Sequence, residues 1–180
     1  MKNLIFSWTK QKEMESKGHE LFIEKKIDEA EKLLLKALEA DDDNSIDRHF
    51  VYNGLIELYY KLRNEREDAI EKCVYFCKAD IERLPEFLRN YKNRYEKPPD
   101  FPYEFWGLPE CPSIERLAII HEKNGEYQEA INLCKYAIEL GLEAKWDSYN
   151  FRYGTNKGYK ARIQKLEKKN TSQKGEGPKK

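Results

Sequence analysis

The stretch EKNGEYQEAINLCKYAIELGLEAK, residues 122–145, has the pattern of a helix hairpin. Asn124-Gly125 is a turn signal, and Gly141 is the kind of residue that ends a helix. Between these points apolar residues recur at spacings of three and four, which is typical of the buried stripe of an amphipathic helix. That stripe consists of Tyr127, Ala130, Ile131, Cys134, Ala137 and Ile138. The end of one helix, a tight turn and a second helix are therefore predicted.

The same pattern occurs one hundred residues earlier, at Ile27, Ala30, Leu34, Ala37 and Leu38. Small side chains at the alanine positions allow a neighbouring helix to approach closely. The segments before both stripes, residues 11–26 and 113–124, also have helical periodicity, whereas no alternating strand pattern extends beyond a few residues. Because a hairpin alone cannot bury its apolar stripe, we expect an all-α fold in which hairpins stack.

These hairpins resemble the tetratricopeptide repeat (TPR), a 34-residue helix–turn–helix unit. For a unit at residues 111–144 the matching positions are Leu117, Ala118, Gly125, Tyr127, Ala130 and Ala137, and the departures are His121, Cys134 and Leu142. For a unit at residues 11–44 the matches are Gly18, Ala30 and Ala37. A middle unit at residues 50–83 offers Ile56, Tyr60 and Ala69, with Glu57 at a position that should be small. As a whole the chain is also similar to short TPR-like proteins of Gram-positive bacteria and their phages, a group that implies no activity.

The resemblance implies an irregular TPR-like α-solenoid of about seven or eight helices, forming one domain over residues 1–169. The repeats are interrupted by a loop at residues 97–112 that is rich in proline and aromatic residues. A helix at about residues 157–169 carries a stripe that could cap the last hairpin. We expect the basic tail, residues 170–180, to be disordered because it is polar and lysine-rich.

The charge of the chain is balanced, with 33 basic and 33 acidic residues, so uniform attraction to nucleic acid or to acidic membranes is not expected. The exception is residues 157–180, where nine Lys or Arg residues face two Glu residues. The apolar stretch at residues 3–8 is too short for a signal core, and no apolar run is long enough to span a membrane. We therefore expect a cytoplasmic protein without a membrane partner and with free thiols.

The chain shows no motif of a catalytic or phosphate-binding site. Cys73 and Cys77 are four residues apart and, with Cys134 or His121, could in principle bind zinc, but isolated cysteines more often fill a core. We read His121 as a core or groove residue and residues 41–47 as a solvated turn that supplies helix N-caps. The sequence thus predicts no enzyme, no cofactor and no metal site.

In stacked TPR-like hairpins the first helices line a concave groove. The groove candidates are Glu15, His19, Phe22, Ile23, Leu58, Lys61, Arg116, Ile119, Glu122 and Lys123. The aromatic residues of the loop, which either pack on the core or border the groove, are Phe101, Tyr103, Phe105 and Trp106. The mixture of apolar and charged groups predicts a protein-interaction module that binds a peptide or a helix.

The alternative is a nucleic-acid or ribonucleoprotein accessory, in which phosphate contacts come from the C-terminal helix and tail. The candidate residues are Lys160, Arg162, Lys165, Lys168 and Lys169. Few aromatic residues lie among them, so platforms for base stacking are scarce. The identity of the partner and the oligomeric state stay open at this point.

Overall fold

The computed structural model describes residues 9–40, 44–94, 110–142 and 158–175, and within these ranges it contains seven α-helices and no strand. The helices are α1 (Lys10–Ile23), α2 (Ile27–Leu38), α3 (Ser45–Leu62), α4 (Ala69–Arg94), α5 (Pro112–Lys123), α6 (Tyr127–Glu139) and α7 (Gly158–Gly175). The predicted all-α class and the number of helices are confirmed. The helices group into two compact units, Met1–Tyr91 and Lys92–Lys180, where the sequence suggested a single domain.

In the first unit, α1 and α2 form an antiparallel hairpin with very close packing. Ala30, Leu34 and Ala37 of α2 are fully buried, as the apolar stripe predicted. Leu34 lies between two glycines: a Cβ atom added to Gly18 of α1 would come within 2.8 Å of Leu34 Cγ, and one added to Gly54 of α3 within 3.1 Å of its Cδ2. Leu34 thus joins three helices at a point where α1 and α3 have no side chain.

Gly54 is a second point of close helix approach, which the sequence pattern did not predict. It faces Leu34 from α3, the helix that follows α2, whereas Gly18 faces the same side chain from α1; the predicted unit at residues 50–83 had placed Glu57 at its small position. The helices of this unit are also longer than predicted, because α3 begins at Ser45 and α4 continues to Arg94. Asn44 caps α3 by accepting hydrogen bonds from the backbone N–H groups of Ile46 (3.1 Å) and Asp47 (3.4 Å), so the predicted N-cap is confirmed. The prediction of a solvated turn is wrong for residues 45–47, which are buried in the first turn of α3.

The turns after α1 and α5 have the same backbone geometry although their sequences differ. In the first, Lys25 N–H donates to Phe22 O and Lys26 N–H to Leu21 O; in the second, the donors are the N–H groups of Gly125 and Glu126. This is the Schellman arrangement, which requires a residue in the left-handed conformation. Gly125 adopts it at φ +79°, and Lys25 adopts it at φ +64° despite its Cβ atom. The glycine stop at Gly125 is confirmed, whereas Lys25 gave no such signal.

Charged side chains fasten α2 to α3 and to the start of α4. Glu31 of α2 accepts hydrogen bonds from Tyr59 Oη (2.6 Å) and from Arg66 Nη1 (2.5 Å), and Lys72 Nζ lies 3.4 Å from its Oε1. Burial alone would raise the pKa of Glu31, but the hydrogen bonds from Arg66 and Tyr59 lower it overall. Glu31 is therefore a structural anchor of the first unit.

A buried contact between a histidine and an aspartate fixes the middle of α4 against α3. His49 Nδ1 lies 2.7 Å from Asp80 Oδ1, and both side chains are only 1% exposed. The His49 ring stacks on Phe87, with 3.7 Å between ring centroids. Further along α3 and closer to the start of α4, Cys73 Sγ donates to Ile56 O at 3.7 Å. The helices α3 and α4 therefore run antiparallel.

In the second unit, α5 and α6 form the hairpin that the opening stretch predicted, and α7 packs against it. Ala130, Cys134 and Ala137 are fully buried, as are their counterparts in α2. Tyr159 and Leu166 of α7 are buried, which confirms that the C-terminal helix covers this hairpin. Because α7 continues to Gly175, the prediction of a disordered tail is wrong for residues 170–175.

Candidate interaction surfaces

Helices α1 and α3 run in the same direction and share one exposed stripe. Lys12 Nζ of α1 lies 5.0 Å from the ring centroid of Phe50, near the start of α3, and Lys61 Nζ of α3 lies 4.7 Å from that of Phe22, near the end of α1. Each helix therefore contributes one cation and one ring to a pair of cation–π contacts. We define the α1–α3 surface as Lys12, Glu15, His19, Phe22 and Ile23 of α1 with Phe50 and Lys61 of α3.

This surface combines exposed apolar groups with charge. Ile23 is 68% exposed, and among the described residues Tyr75 is the other large hydrophobic residue with an exposed side chain. His19 and Lys61 are exposed, and Phe22 is half-buried under Lys61. Glu15 is nearly buried and forms an ion pair with Lys12, so its carboxylate is already neutralised. The surface thus presents an exposed apolar side chain, Ile23, together with the exposed ammonium group of Lys61.

Four of the predicted groove residues of the first unit, Glu15, His19, Phe22 and Ile23, fall on this one stripe, and Lys61 joins them from α3. Leu58 does not: it is fully buried, so the prediction that it lines a groove is wrong. The reason is that apolar residues surround α3 on nearly all sides, as expected for a central helix. Phe50 was missed because the predicted repeat began there, five residues after the true start of α3.

In the second unit the predicted groove residues differ in exposure and do not form one open surface. Lys123 is exposed, while Arg116 and Ile119 are half-buried. Glu122 is only 15% exposed and faces α7: Arg162 Nη2 lies 2.8 Å from Oε2, and Lys169 Nζ lies 2.8 Å from Oε1. Glu122 is therefore not part of an open groove, because a helix of the same chain already occupies its carboxylate. His121 contacts Glu126, with 2.5 Å between Nδ1 and Oε2.

The contacts of Glu122 also concern the nucleic-acid alternative. A third cation, Lys165 Nζ, lies 3.8 Å from Glu122 Oε1. Burial alone would raise the pKa of Glu122, but the hydrogen bond from Lys169 and the nearby charges lower it overall, so the carboxylate stays ionised. Three of the five basic side chains that the alternative depends on thus contact an acidic group of their own chain, which reduces the charge available to phosphates.

The described part of the chain offers no evident metal site. All four cysteines are buried and outside any disulfide, and within residues 9–40, 44–94, 110–142 and 158–175 no group of three or more His, Cys, Asp or Glu side chains is arranged to hold an ion. Burial raises the pKa of Cys134 to about 11, which disfavours the thiolate that a metal ligand needs. The reading of these cysteines as core residues is consistent with this arrangement.

The proline-aromatic loop candidates, Phe101, Tyr103, Phe105 and Trp106, lie outside the described residues. Among the described helices, none combines the length and the apolar composition that a bilayer crossing needs.

Comparison of the chain with protein-family models, with curated proteins and with solved structures found no match in any of the three. The class that the described residues define is an all-α protein built from antiparallel helix hairpins, with a mixed apolar and cationic stripe on α1 and α3.

Proposed function

We propose that the chain is a cytoplasmic, non-catalytic protein-interaction module of the tetratricopeptide-like kind, and that it binds a peptide or a helix on the α1–α3 surface. The observation that carries the proposal is the pair of cation–π contacts between two parallel helices next to an Ile23 that is 68% exposed. A partner that covers Ile23 would remove apolar surface from water without breaking any contact of the core.

The parallel course of α1 and α3 supports a linear partner. Their shared stripe runs from Lys12 and Phe50 at one end to Phe22 and Lys61 at the other. An amphipathic helix or an extended peptide places side chains at regular intervals and so matches a surface of this length. Lys61 already lies over a ring, so a carboxylate of the partner could approach it at little conformational cost.

The test is selection of binders from a random peptide library with the full chain as bait. Peptides that bind are then measured against the Ile23→Asp and Lys61→Glu variants and against Lys78→Glu, which changes an exposed lysine of α4. We expect each surface variant to weaken binding at least about tenfold, which corresponds to about 1.4 kcal/mol. The Lys78→Glu control should bind as the unmodified chain does.

Circular dichroism of each variant establishes that the helices are retained, which is expected because the substituted side chains are exposed. If the selected peptides bind all three variants with unchanged affinity, the α1–α3 surface is not the binding site. If the library yields no peptide with saturable binding, linear-peptide recognition by this chain is refuted.

A further inference from the structure

Helix α7 packs on the α5–α6 hairpin in the same orientation in which α3 packs on the α1–α2 hairpin, although its backbone approaches α6 more closely than α5. Near its start, Tyr159 is buried close to Cys111 and Glu115 at the beginning of α5. Near its end, Lys169 Nζ lies 5.9 Å from the ring centroid of Tyr127, at the beginning of α6. The helix α7 is thus parallel to α5 and antiparallel to α6, as α3 is to α1 and α2.

The connections to these third helices differ greatly in length. Only residues 39–44 separate α2 from α3, whereas residues 140–157 separate α6 from α7. In addition, α3 also packs against α4, with His49 stacked on Phe87. The face of the α5–α6 hairpin is therefore a helix-docking site that a distant segment of the chain fills.

The contact is electrostatically complementary. Residues 112–139 contain five acidic and three basic residues, a net charge of −2, whereas residues 158–175 contain six basic and one acidic residue, a net charge of +5. Glu122 is the centre of this attraction, with Arg162 and Lys169 at 2.8 Å and Lys165 at 3.8 Å. The docking site therefore favours a cationic helix.

The apolar part of the contact specifies the helix further. Tyr159 is 6% exposed and Leu166 is fully buried, and Ile163 lies between them on the same side of α7. Arg162 contacts Glu122 from the position before Ile163, and Lys169 follows Leu166 by three residues. The α5–α6 face thus contacts a helix with a defined set of side chains at these spacings: an aromatic residue, an arginine, two aliphatic residues and a lysine.

We propose that the α5–α6 face is a binding site for basic amphipathic helices of partner proteins, and that α7 occupies this site as a built-in competitor. A segment of the same chain competes at an effective concentration that is set by the connection to it, and a free partner must exceed this concentration in affinity terms. A partner helix binds when it contacts the face more tightly than α7 does or when the contacts of α7 are weakened. The site is separate from the α1–α3 surface, so this proposal does not rest on the proposed function.

The experiment uses the full chain with Arg162→Glu and Lys169→Glu, which places acidic groups near Glu122 and weakens docking of α7. A fluorescent synthetic peptide with the sequence of residues 158–175 serves as the partner helix, and binding is followed by fluorescence anisotropy. We expect the double variant to bind the peptide at least about tenfold more tightly than the unmodified chain, in which α7 competes. A scrambled peptide of the same composition controls for charge alone.

Two further variants identify the site. Adding Glu122→Arg to the double variant should abolish the gain in affinity, whereas adding Ile23→Asp and Lys61→Glu should leave it intact. The proposal is overturned if the double variant binds no more tightly than the unmodified chain, if the scrambled peptide binds equally well, or if the Ile23 and Lys61 substitutions remove binding. Should the double variant lose its helical circular dichroism, the milder Arg162→Ala variant provides the same comparison.

Discussion

The buried pair of His49 and Asp80 allows a sharp test of how the first unit is held together. Both side chains are 1% exposed, and 2.7 Å separates His49 Nδ1 from Asp80 Oδ1. The other carboxylate oxygen, Asp80 Oδ2, is buried with no hydrogen-bond partner among the described residues. Replacing either residue with alanine would leave the other polar group buried without its main partner, and such losses cost about 3–5 kcal/mol. This is a large share of the roughly 5–15 kcal/mol that stabilises a typical domain.

The test is a double-mutant cycle with His49→Ala, Asp80→Ala and the double variant. The free energy of unfolding of each is measured in urea, with circular dichroism as the signal. His49 also stacks on Phe87 at 3.7 Å, so its single substitution includes a loss of packing that the cycle removes. We expect the double variant to be at least about 2 kcal/mol more stable than the sum of the single losses implies.

The exposed pair of Lys17 and Glu20 is the matched control. These side chains are 55% and 56% exposed and lie 2.7 Å apart, the same distance as in the buried pair. The same cycle there should show no measurable coupling, because solvent screens exposed pairs. If the His49 and Asp80 losses are additive within about 0.5 kcal/mol, the pair is not an energetic unit and the reasoning is refuted.

Three other predictions follow from the packing, the turns and the ion pairs. Gly18→Ala should destabilise the chain by about 1–3 kcal/mol in urea unfolding, because its Cβ atom would lie 2.8 Å from Leu34 Cγ; an unchanged midpoint would contradict this. Lys25→Gly should stabilise it by about 1 kcal/mol by relieving a φ of +64°, measurable as a higher melting temperature. Because the folded-state pKa of Glu122 lies below its ordinary value of 4.5, its stabilisation is present above that value and is lost as the pH falls through the lowered pKa. Amide exchange of α7 should accelerate in that acidic range, and Glu122→Gln should remove the pH dependence; a variant that keeps it would exclude Glu122 as the cause.

The hairpins could be predicted from the sequence because their signals are local. The stripes of α2 and α6 repeat with the same spacing one hundred residues apart, and Ala30, Ala37, Ala130 and Ala137 are all fully buried as expected. Gly125 signalled the turn after α5. The turn after α1 has the same hydrogen bonds but carries Lys25, so its position followed from the stripes on either side and not from the turn residue itself.

The register of α3 could not be predicted from the sequence because it depends on a contact between distant residues. Gly54 lies at a point of close approach because it faces Leu34, which is twenty residues earlier and belongs to another helix. The pattern of α3 itself is ambiguous, since apolar residues occupy most of its sides and any of several registers would bury some of them. The misplacement of Leu58 in a groove and the omission of Phe50 from the α1–α3 surface both follow from this ambiguity.

The ionic contacts were missed for a similar reason. Glu31, Glu122 and Asp80 each sit in a sequence in which more than a third of the residues are charged, so nothing local distinguishes them from solvated glutamates and aspartates. Their partners are 35, 40 and 31 residues away, at Arg66, Arg162 and His49 respectively. Only the fold brings these groups together, and single-sequence patterns do not predict such pairings.

The two third helices, α3 and α7, differ in how many of their sides are buried. Both α3 and α7 dock on a hairpin in the same orientation, but α3 buries residues on both sides: Gly54 meets Leu34 of α2, and His49 stacks on Phe87 of α4. The helix α7 buries only one side, with Leu166 inside and basic residues such as Lys168 in solvent. A helix with a single apolar stripe can complete a hairpin but offers no second face for another helix, because a charged side resists burial. The distribution of apolar residues around a third helix therefore determines whether a further hairpin can be added, and in α7 it favours termination.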